Sequence, residues 1–215
     1  MKTAMVGIVC VLSMAALAEF GVLGWQPAGR PRSAANEASF TYFIGEGDRA
    51  SGYRPSDREL AAWAFAAWER SSGGGLRLEP SREPEALVRL YWASANGTTY
   101  GEMRAFLING RRGAAVFVRP DIPALGPDIA SRGSRDPLWR ETIVYLTCLH
   151  ELGHAFGLPH TADDRDIMYS FQYGGDIVEY FSRYRRALNV RNDIASHAGL
   201  SEADIKTLRT LHPVS

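Results

Sequence analysis

Hydrophobic residues in the first half of the chain follow two patterns, one typical of β-strands and one typical of an α-helix. Apolar, β-branched and aromatic residues predict strands at residues 39–44, 76–79, 86–92, 103–108 and 114–118. A helical period of apolar residues lies between the first two strands, at Leu60, Trp63, Ala64, Ala67 and Trp68. Ser56 and Glu59 have the spacing of a capping box at its start, and the glycines at 73–75 should end it. Asn109-Gly110 predicts a tight hairpin between the last two strands.

The second half of the chain is predicted to be mainly helical. Asp136 is a candidate N-cap with Pro137 in the first helical position, and a loop is expected before it at residues 120–135. Further helices are predicted at residues 176–188 and from the capping box that begins at Ser201. Because strands come first and helices later, we expect one α+β domain. It would contain a mixed twisted sheet, the capped helix, a long helix after Asp136 and a C-terminal helix.

Composition is that of a soluble globular domain. Of 215 residues, 46% are hydrophobic and 22% are charged, which is ordinary for a protein with a packed core. The formal net charge is zero. A nucleic-acid-binding domain normally carries a basic excess, so this class of partner is not expected.

The N-terminus has the pattern of a secretory signal peptide. Lys2 precedes an apolar run at residues 4–17, and Ala16-Leu17-Ala18 offers a cleavage site between small residues. We therefore expect residues 1–18 to be a signal peptide, residues 19–38 a linker or short pro-segment, and residues 39–215 the functional domain. The protein would be secreted, or periplasmic in a bacterium, without stable membrane association once cleaved. An uncleaved N-terminal membrane anchor is the alternative.

The sequence HELGHAFGLPH at residues 150–160 has the spacing of a metal site. His150 and His154 are four residues apart, so on a helix they project from the same face. Gly157 permits a backbone conformation that ends the helix and turns the chain sharply, so that His160 can supply a third nitrogen. Three histidines suit Zn²⁺ at about 2.0–2.1 Å and leave one coordination position open, as in catalytic sites.

Glu151 is placed for acid–base chemistry beside such a metal. It follows His150 by one residue, about 100° around the helix, so it is directed away from the common face of the two histidines. A bound zinc ion lowers the pKa of water to about 7 and polarises a carbonyl group. Glu151 is then the candidate general base, which can later return the proton to the leaving amine.

The motif, together with Asp166-Ile167-Met168-Tyr169, resembles the metzincin zinc metalloproteases and, among them, the matrixins. Met168 follows His160 by eight residues, as in the matrixin methionine turn. The resemblance implies a zinc endopeptidase acting on protein or peptide substrates, in which Met168 supports the three histidines without binding the metal. It also implies that the strand at residues 103–108 lines the substrate cleft and pairs with an extended peptide.

Other functions and sites remain open in the sequence. A zinc-holding module that binds peptides without cutting them is one alternative, although it would not need Glu151. Asp163, Asp164 and Asp166 could bind calcium, but a solvated acidic loop is the simpler interpretation. Phe171, Gln172 and Tyr173 are predicted to wall an apolar pocket for the substrate side chain after the cleaved bond. The remaining polar residues are interpreted as structural: a core thiol at Cys148, surface or capping residues at His197 and His212, and a solvated basic face at Arg183, Arg185, Arg186 and Arg191.

Overall fold

Five β-strands form one sheet in the computed structural model, which describes residues 38–94 and 100–214. The predicted signal peptide and almost all of the predicted linker, residues 1–37, lie outside the described residues. The strands are β1 (Ala38–Ile44), β2 (Leu76–Pro80), β3 (Val88–Trp92), β4 (Gly101–Ile108) and β5 (Arg111–Val118).

The sheet is mixed, as the sequence predicts. Its strand order is β2-β1-β3-β5-β4, and all neighbouring pairs are parallel except β4 with β5. That antiparallel pair is the predicted hairpin: Asn109 and Gly110 both have positive φ, 50° and 76°, as a two-residue turn between twisted strands requires. The hairpin places β4 at one edge of the sheet.

Helix α1 (Asp57–Ser72) lies where predicted, but the expected capping box is wrong. Ser56 has a helical backbone and its side chain makes no cap hydrogen bond. Glu59 pairs with Arg191 instead of reaching back to the cap. The Asp57 carboxylate accepts a hydrogen bond from the Arg54 backbone N–H at 2.8 Å and is fully buried. Asp57, in place of Ser56, thus makes the side-chain bonds at this end of the helix, and it also forms a tertiary ion pair with Arg140.

The segment at residues 120–135 is not the loop that was predicted. A 3₁₀ turn (Ile122–Leu125) and helix α2 (Pro127–Arg135) occupy it. Ile129 is 2% exposed and joins the core, so tertiary burial stabilises a short helix that has few apolar residues of its own. Helix α3 (Pro137–Ala155) then begins as predicted, because the Asp136 side chain accepts a hydrogen bond from the Leu138 N–H.

Helix α3 packs against α1 and the sheet, and forms the centre of the core. Its predicted inward residues are all buried. The indole N–H of Trp68, on α1, donates to the Leu149 carbonyl of α3 at 2.9 Å. Since a buried indole needs an acceptor, this bond fixes one helix against the other as well as filling the core. Four buried residues form the inner face of α3: Trp139, Ile143, Leu146 and Leu149.

Three helices follow the metal motif. They are α4 (Ile177–Arg186), the short α5 (Asp193–Ser196) and α6 (Glu202–Leu211). Helices α4 and α6 were predicted, and the Ser201 capping box is formed, with Asp204 as its acidic partner. The short α5 was not predicted. Among the described residues, no helix has both the length and the hydropathy that crossing a bilayer would require.

The buried ion pair between Arg140 and Asp57 should contribute strongly to stability. Arg140 donates to both carboxylate oxygens, at 2.6 and 2.8 Å, and to the Gly52 carbonyl at 2.9 Å. Arg140→Met would leave a buried, unpaired carboxylate, so we expect a loss of about 3–5 kcal/mol in the free energy of unfolding. Urea denaturation measures it. Arg82→Met, which breaks an exposed pair with Glu85, is the control and should cost at most about 1 kcal/mol. Equal losses in the two variants would contradict the assignment.

Candidate metal centre

The chain reverses direction directly after α3. Gly157 has φ +96°, a conformation that strains any residue with a Cβ. A Cβ there would meet only Leu211, at 3.7 Å, so backbone conformation and not lack of space requires glycine. The Leu158 N–H then donates to the Gly153 carbonyl at 3.0 Å, which closes the turn and carries His160 back toward α3.

The three histidines of the motif converge on one point. The Nε2 atom of His160 lies 3.3 Å from Nε2 of His150 and 3.0 Å from Nε2 of His154. Two nitrogens bound to a tetrahedral zinc ion at 2.0–2.1 Å are about 3.4 Å apart. All candidate ligand atoms of the group lie within 4.8 Å of one another. The donor set and its spacing therefore fit a zinc ion.

Backbone carbonyls orient two of the imidazole rings. Nδ1–H of His150 donates to the Ile167 carbonyl at 2.6 Å, and Nδ1–H of His154 donates to the Leu158 carbonyl at 2.9 Å. With the proton held on Nδ1, the lone pair on Nε2 points to the common centre. These acceptors come from the two turns that follow α3, so the fold of those turns sets the orientation of the rings.

Burial also keeps the imidazoles neutral. It lowers the pKa of His150 to about 3, with a further contribution from His154, and lowers the pKa of His154 to about 4. The pKa of the more exposed His160 is lowered by the same cause. Neutral imidazole is the form that binds a metal. The ligands are thus available at neutral pH without loss of protons.

Glu151 lies beside this cluster, 7% exposed. Burial, and secondarily the nearby Glu102 carboxylate, raise its pKa to about 8. A Cβ added at Gly101 would stand only 2.6 Å from Oε1 of Glu151, so the first residue of β4 lies directly against this carboxylate. A divalent cation at the histidines would favour the ionised form, because opposite charge nearby lowers a carboxyl pKa.

Met168 packs on α3 within the histidine motif, at Gly153. It is 1% exposed, and a Cβ at Gly153 would stand 2.3 Å from its sulfur, so the thioether packs on the bare backbone of α3 between the first two histidines. The turn around it is closed by Thr161, whose N–H donates to the Met168 carbonyl at 2.9 Å. The supporting role of Met168 toward the three histidines stays a prediction.

Asp204 anchors the methionine turn, a role that the sequence did not suggest. Its carboxylate accepts hydrogen bonds from the backbone N–H groups of Ile167, at 2.8 Å, and Met168, at 3.4 Å. The same carboxylate accepts from the Ser201 N–H in the capping box. The capping pattern at residues 201–204 was visible in the sequence, but its second set of partners depends on the tertiary fold.

A cavity of about 50 Å³ adjoins His150, Glu151 and His160. Of the three residues predicted to wall it, only Phe171 does so; Gln172 and Tyr173 are exposed. Their 3₁₀ turn ends in glycines with positive φ, which direct the chain toward α4. Aromatic side chains of α4 take their place. The wall residues beyond the metal cluster include Leu146, Thr147, Tyr169, Phe171, Tyr180 and Phe181.

The other acidic and basic residues of this region are paired. Asp163 and Asp164 bind Arg165 and Arg183, and Asp166 accepts a hydrogen bond from the Ser201 hydroxyl at 2.7 Å. Calcium at these aspartates stays a prediction. Arg185, Arg186 and Arg191 also make ion pairs, so the predicted basic face is largely neutralised.

Three residues that were interpreted from the sequence as structural lie in the core or at the ends of helices. Cys148 is completely buried, and burial raises the pKa of its thiol well above the usual value. His212 bonds through Nε2 to the Phe156 carbonyl at 2.8 Å and caps the end of the α3 region, whereas His197 is exposed at the end of α5.

Comparison with known proteins places these features in a family. A model of the matrixin family matches residues 35–178. Among solved structures, archaemetzincin from Methanopyrus kandleri is similar, with a TM-score of 0.40 and 14% sequence identity over 83% of this chain and 97% of that chain. No curated protein sequence matches.

The convergence of the histidines predicts tight zinc binding. We expect about one zinc ion per chain, because each of the three imidazoles offers one nitrogen. His154→Ala should lose the metal, as measured by atomic emission after dialysis and by calorimetric titration. His197→Ala is the matched control, since that histidine is exposed and outside the cluster. A purified protein that stays metal-free in excess zinc at neutral pH would rule out the site.

Proposed function

Because the chain belongs to the matrixin family of zinc peptidases, we propose that it is a zinc endopeptidase with Glu151 as its general base. One observation carries the proposal. Three neutral imidazole nitrogens converge beside a buried carboxylate, at the mouth of an apolar cavity. His150, His154 and His160 would hold the metal. When bound, zinc supplies a Lewis acid that polarises the scissile carbonyl and makes water more acidic.

The residues of the chain supply the remaining chemistry. Glu151 accepts a proton from the attacking water and delivers it to the leaving amine, which must be protonated before it can depart. Burial raises the pKa of this carboxyl in the metal-free chain, and a cation held by the histidines would lower it again, so that the ionised form is present to accept the proton. Gly101 allows the first residue of β4 to approach this carboxylate without steric conflict.

Strand β4 is proposed as the binding edge for the substrate. It pairs only with β5 among the described strands, and its first residue, Gly101, lines the cavity next to Glu151. An extended peptide laid along this edge can form main-chain hydrogen bonds with it, independently of the peptide sequence. Such an edge would hold a chain on both sides of the cleaved bond, which supports the proposal of cleavage within a chain and not only at its ends.

We further propose that the protein is exported, on the basis of Lys2 and the apolar run at residues 4–17. The single cysteine of the described residues, Cys148, is buried and reduced, so stability rests on core packing and is compatible with an oxidising compartment. N-terminal sequencing of the protein recovered from the medium or periplasm tests this proposal; a retained segment 1–18 would favour the anchored form.

Replacing the proposed base should separate catalysis from metal binding. We expect Glu151→Gln to retain about one zinc ion and to lose activity on unfolded casein by about 10²–10⁴-fold, because the carboxamide cannot accept the proton. His154→Ala should lose both metal and activity, and a chelator should abolish wild-type hydrolysis. Wild-type rates in Glu151→Gln would disprove the assigned base, and zinc binding without any hydrolysis by the wild type would favour the peptide-binding module.

The aromatic cavity predicts a preference for the residue after the cleaved bond. Leu, Phe or Met there should be favoured over Asp or Lys by about 1–3 kcal/mol, because a charged group would be buried without a partner. Phe181→Ala removes part of the wall and should shift the preference toward larger side chains. Tyr173→Ala is the control, since that residue is 58% exposed and outside the wall. Sequencing of cleaved peptide libraries measures it; equal acceptance of charged residues would refute the cavity's role.

A further inference from the structure

A second cleft, lined mainly by arginines, lies near the start of α3. Its walls come from α2, α3 and α4, and its volume is about 540 Å³, with much of it open to solvent. It is therefore large enough to accept several residues of a bound chain. Six of the residues that line it bear on its chemistry: Arg132, Arg135, Asp136, Trp139, Arg185 and Arg186.

Positive charge in this cleft is only partly neutralised. Nε of Arg185 lies 2.7 Å from an oxygen of Asp136, and Arg186 pairs with Glu179 at 2.7 Å. Arg132 and Arg135, in contrast, have no carboxylate partner within residues 38–94 and 100–214. Arg135 donates only to Ser131 of its own helix, and the guanidinium of Arg132 lies over the Trp139 ring, 5.4 Å from its centroid.

Trp139, which lines the cleft, contains a buried donor without an acceptor among the described residues. Trp139 is 2% exposed, and its indole N–H has no hydrogen-bond partner in the described part of the chain. A buried N–H that lacks an acceptor is costly unless an oxygen approaches it. The accessible donors of the cleft are the two exposed guanidinium groups without a carboxylate partner in the described ranges, Arg132 and Arg135, so its chemistry is suited to oxygen-rich anions.

The cleft and the catalytic cavity share a wall. The Trp139 ring packs edge-on against Phe181, with centroids 6.4 Å apart, and Phe181 lines the catalytic cavity. Along α3, Trp139 precedes His150 by eleven residues, which corresponds to about 16 Å. An extended peptide covers that distance in about five residues. A substrate held at the histidines can thus reach the arginines with a nearby segment.

We propose that this cleft is an exosite for an acidic segment of the protein substrate, located about five residues or more from the cleaved bond. The proposal rests on the proposed peptidase function. Arginine forks match carboxylates in geometry, and the overall charge of the chain is zero, so the cleft is a local attraction within an otherwise balanced charge distribution. The exosite would select acidic substrates through binding, while the aromatic cavity selects the residue at the cleaved bond.

Two peptides with the same cleavage sequence test the exosite. One carries four glutamates, starting five residues beyond the cleaved bond, and the other carries four glutamines. The wild type should show a KM about five- to twenty-fold lower for the glutamate peptide at low salt. The difference should shrink at 0.5 M NaCl, because salt screens exposed charges. A matched pair with the tail before the cleaved bond identifies the direction in which the substrate runs.

The double variant Arg132→Gln/Arg135→Gln should raise KM for the glutamate peptide to that of the glutamine peptide, with the effect on KM and not on kcat. Arg111→Gln/Arg112→Gln is the matched control: these two exposed arginines of β5 lie outside the cleft, so the preference should persist. Thermal unfolding of both double variants verifies that they are folded. Equal KM values for the two peptides in the wild type would overturn the exosite.

A direct binding measurement tests the exosite independently of peptidase activity. Anisotropy of a labelled glutamate peptide is measured with the full-length Glu151→Gln protein, with and without the two arginine substitutions. Binding that depends on Arg132 and Arg135 supports the exosite, whether or not the wild type cleaves any peptide. A wild type that binds the glutamate peptide in this way but cleaves no peptide would refute only the proposed peptidase function. Unchanged binding of the glutamate peptide by the double variant would overturn the exosite. Displacement of the labelled peptide by inorganic phosphate or an oligonucleotide at lower concentrations than by unlabelled glutamate peptide would overturn the assignment to acidic protein segments.

Discussion

The left-handed backbone at Gly157 is the constraint on which the metal centre depends. It lets the chain reverse within two residues, so that Leu158 bonds back to Gly153 and offers its carbonyl to the His154 ring. The same reversal brings His160 to about 3 Å from the other two imidazoles. A residue with a Cβ at position 157 would be strained, and any relaxation of the turn would move a metal ligand and the acceptor that orients another. The arrangement of the three candidate metal ligands therefore requires the left-handed backbone conformation at this one position.

A second requirement is that the methionine turn be held against α3 from both sides. On the side that faces α3, the Met168 side chain packs against Gly153, where the absence of a side chain leaves room for the sulfur. From the other side, the Asp204 carboxylate binds two N–H groups of the turn while it caps α6. The turn in turn supplies the Ile167 carbonyl that orients His150. Hydrogen bonds thus connect the C-terminal helix to His150, a candidate metal ligand, and the first of them joins residues that are 37 positions apart in sequence.

The sequence predicted those features that depend on local spacing. The convergence of His150, His154 and His160 follows from helical periodicity and a glycine, and the hairpin follows from Asn109-Gly110. Features that depend on partners distant in the chain were missed. Glu59, the expected partner of Ser56 in the capping box, pairs with Arg191 instead. Helix α2 forms because Ile129 reaches the core, and aromatic residues of α4, in place of Gln172 and Tyr173, complete the cavity. Strand order within the sheet likewise has no local signature, since it is set by which surfaces pack together.

Strand β4 has a consequence for the behaviour of the protein at high concentration. Among the described strands, β4 pairs only with β5, and such an edge can pair with any extended chain, including unfolded copies of the same protein; Leu107 on this strand is 73% exposed. Natural sheets often block such edges with proline or a covering helix, but either would also exclude the substrate. In this protein, charged side chains near the edge disfavour strand pairing between copies. Glu102 and Arg104 lie on β4, and Arg111 and Arg112 lie at the tip of the hairpin. Changes at these few side chains would therefore affect both aggregation and the access of an extended peptide to the edge.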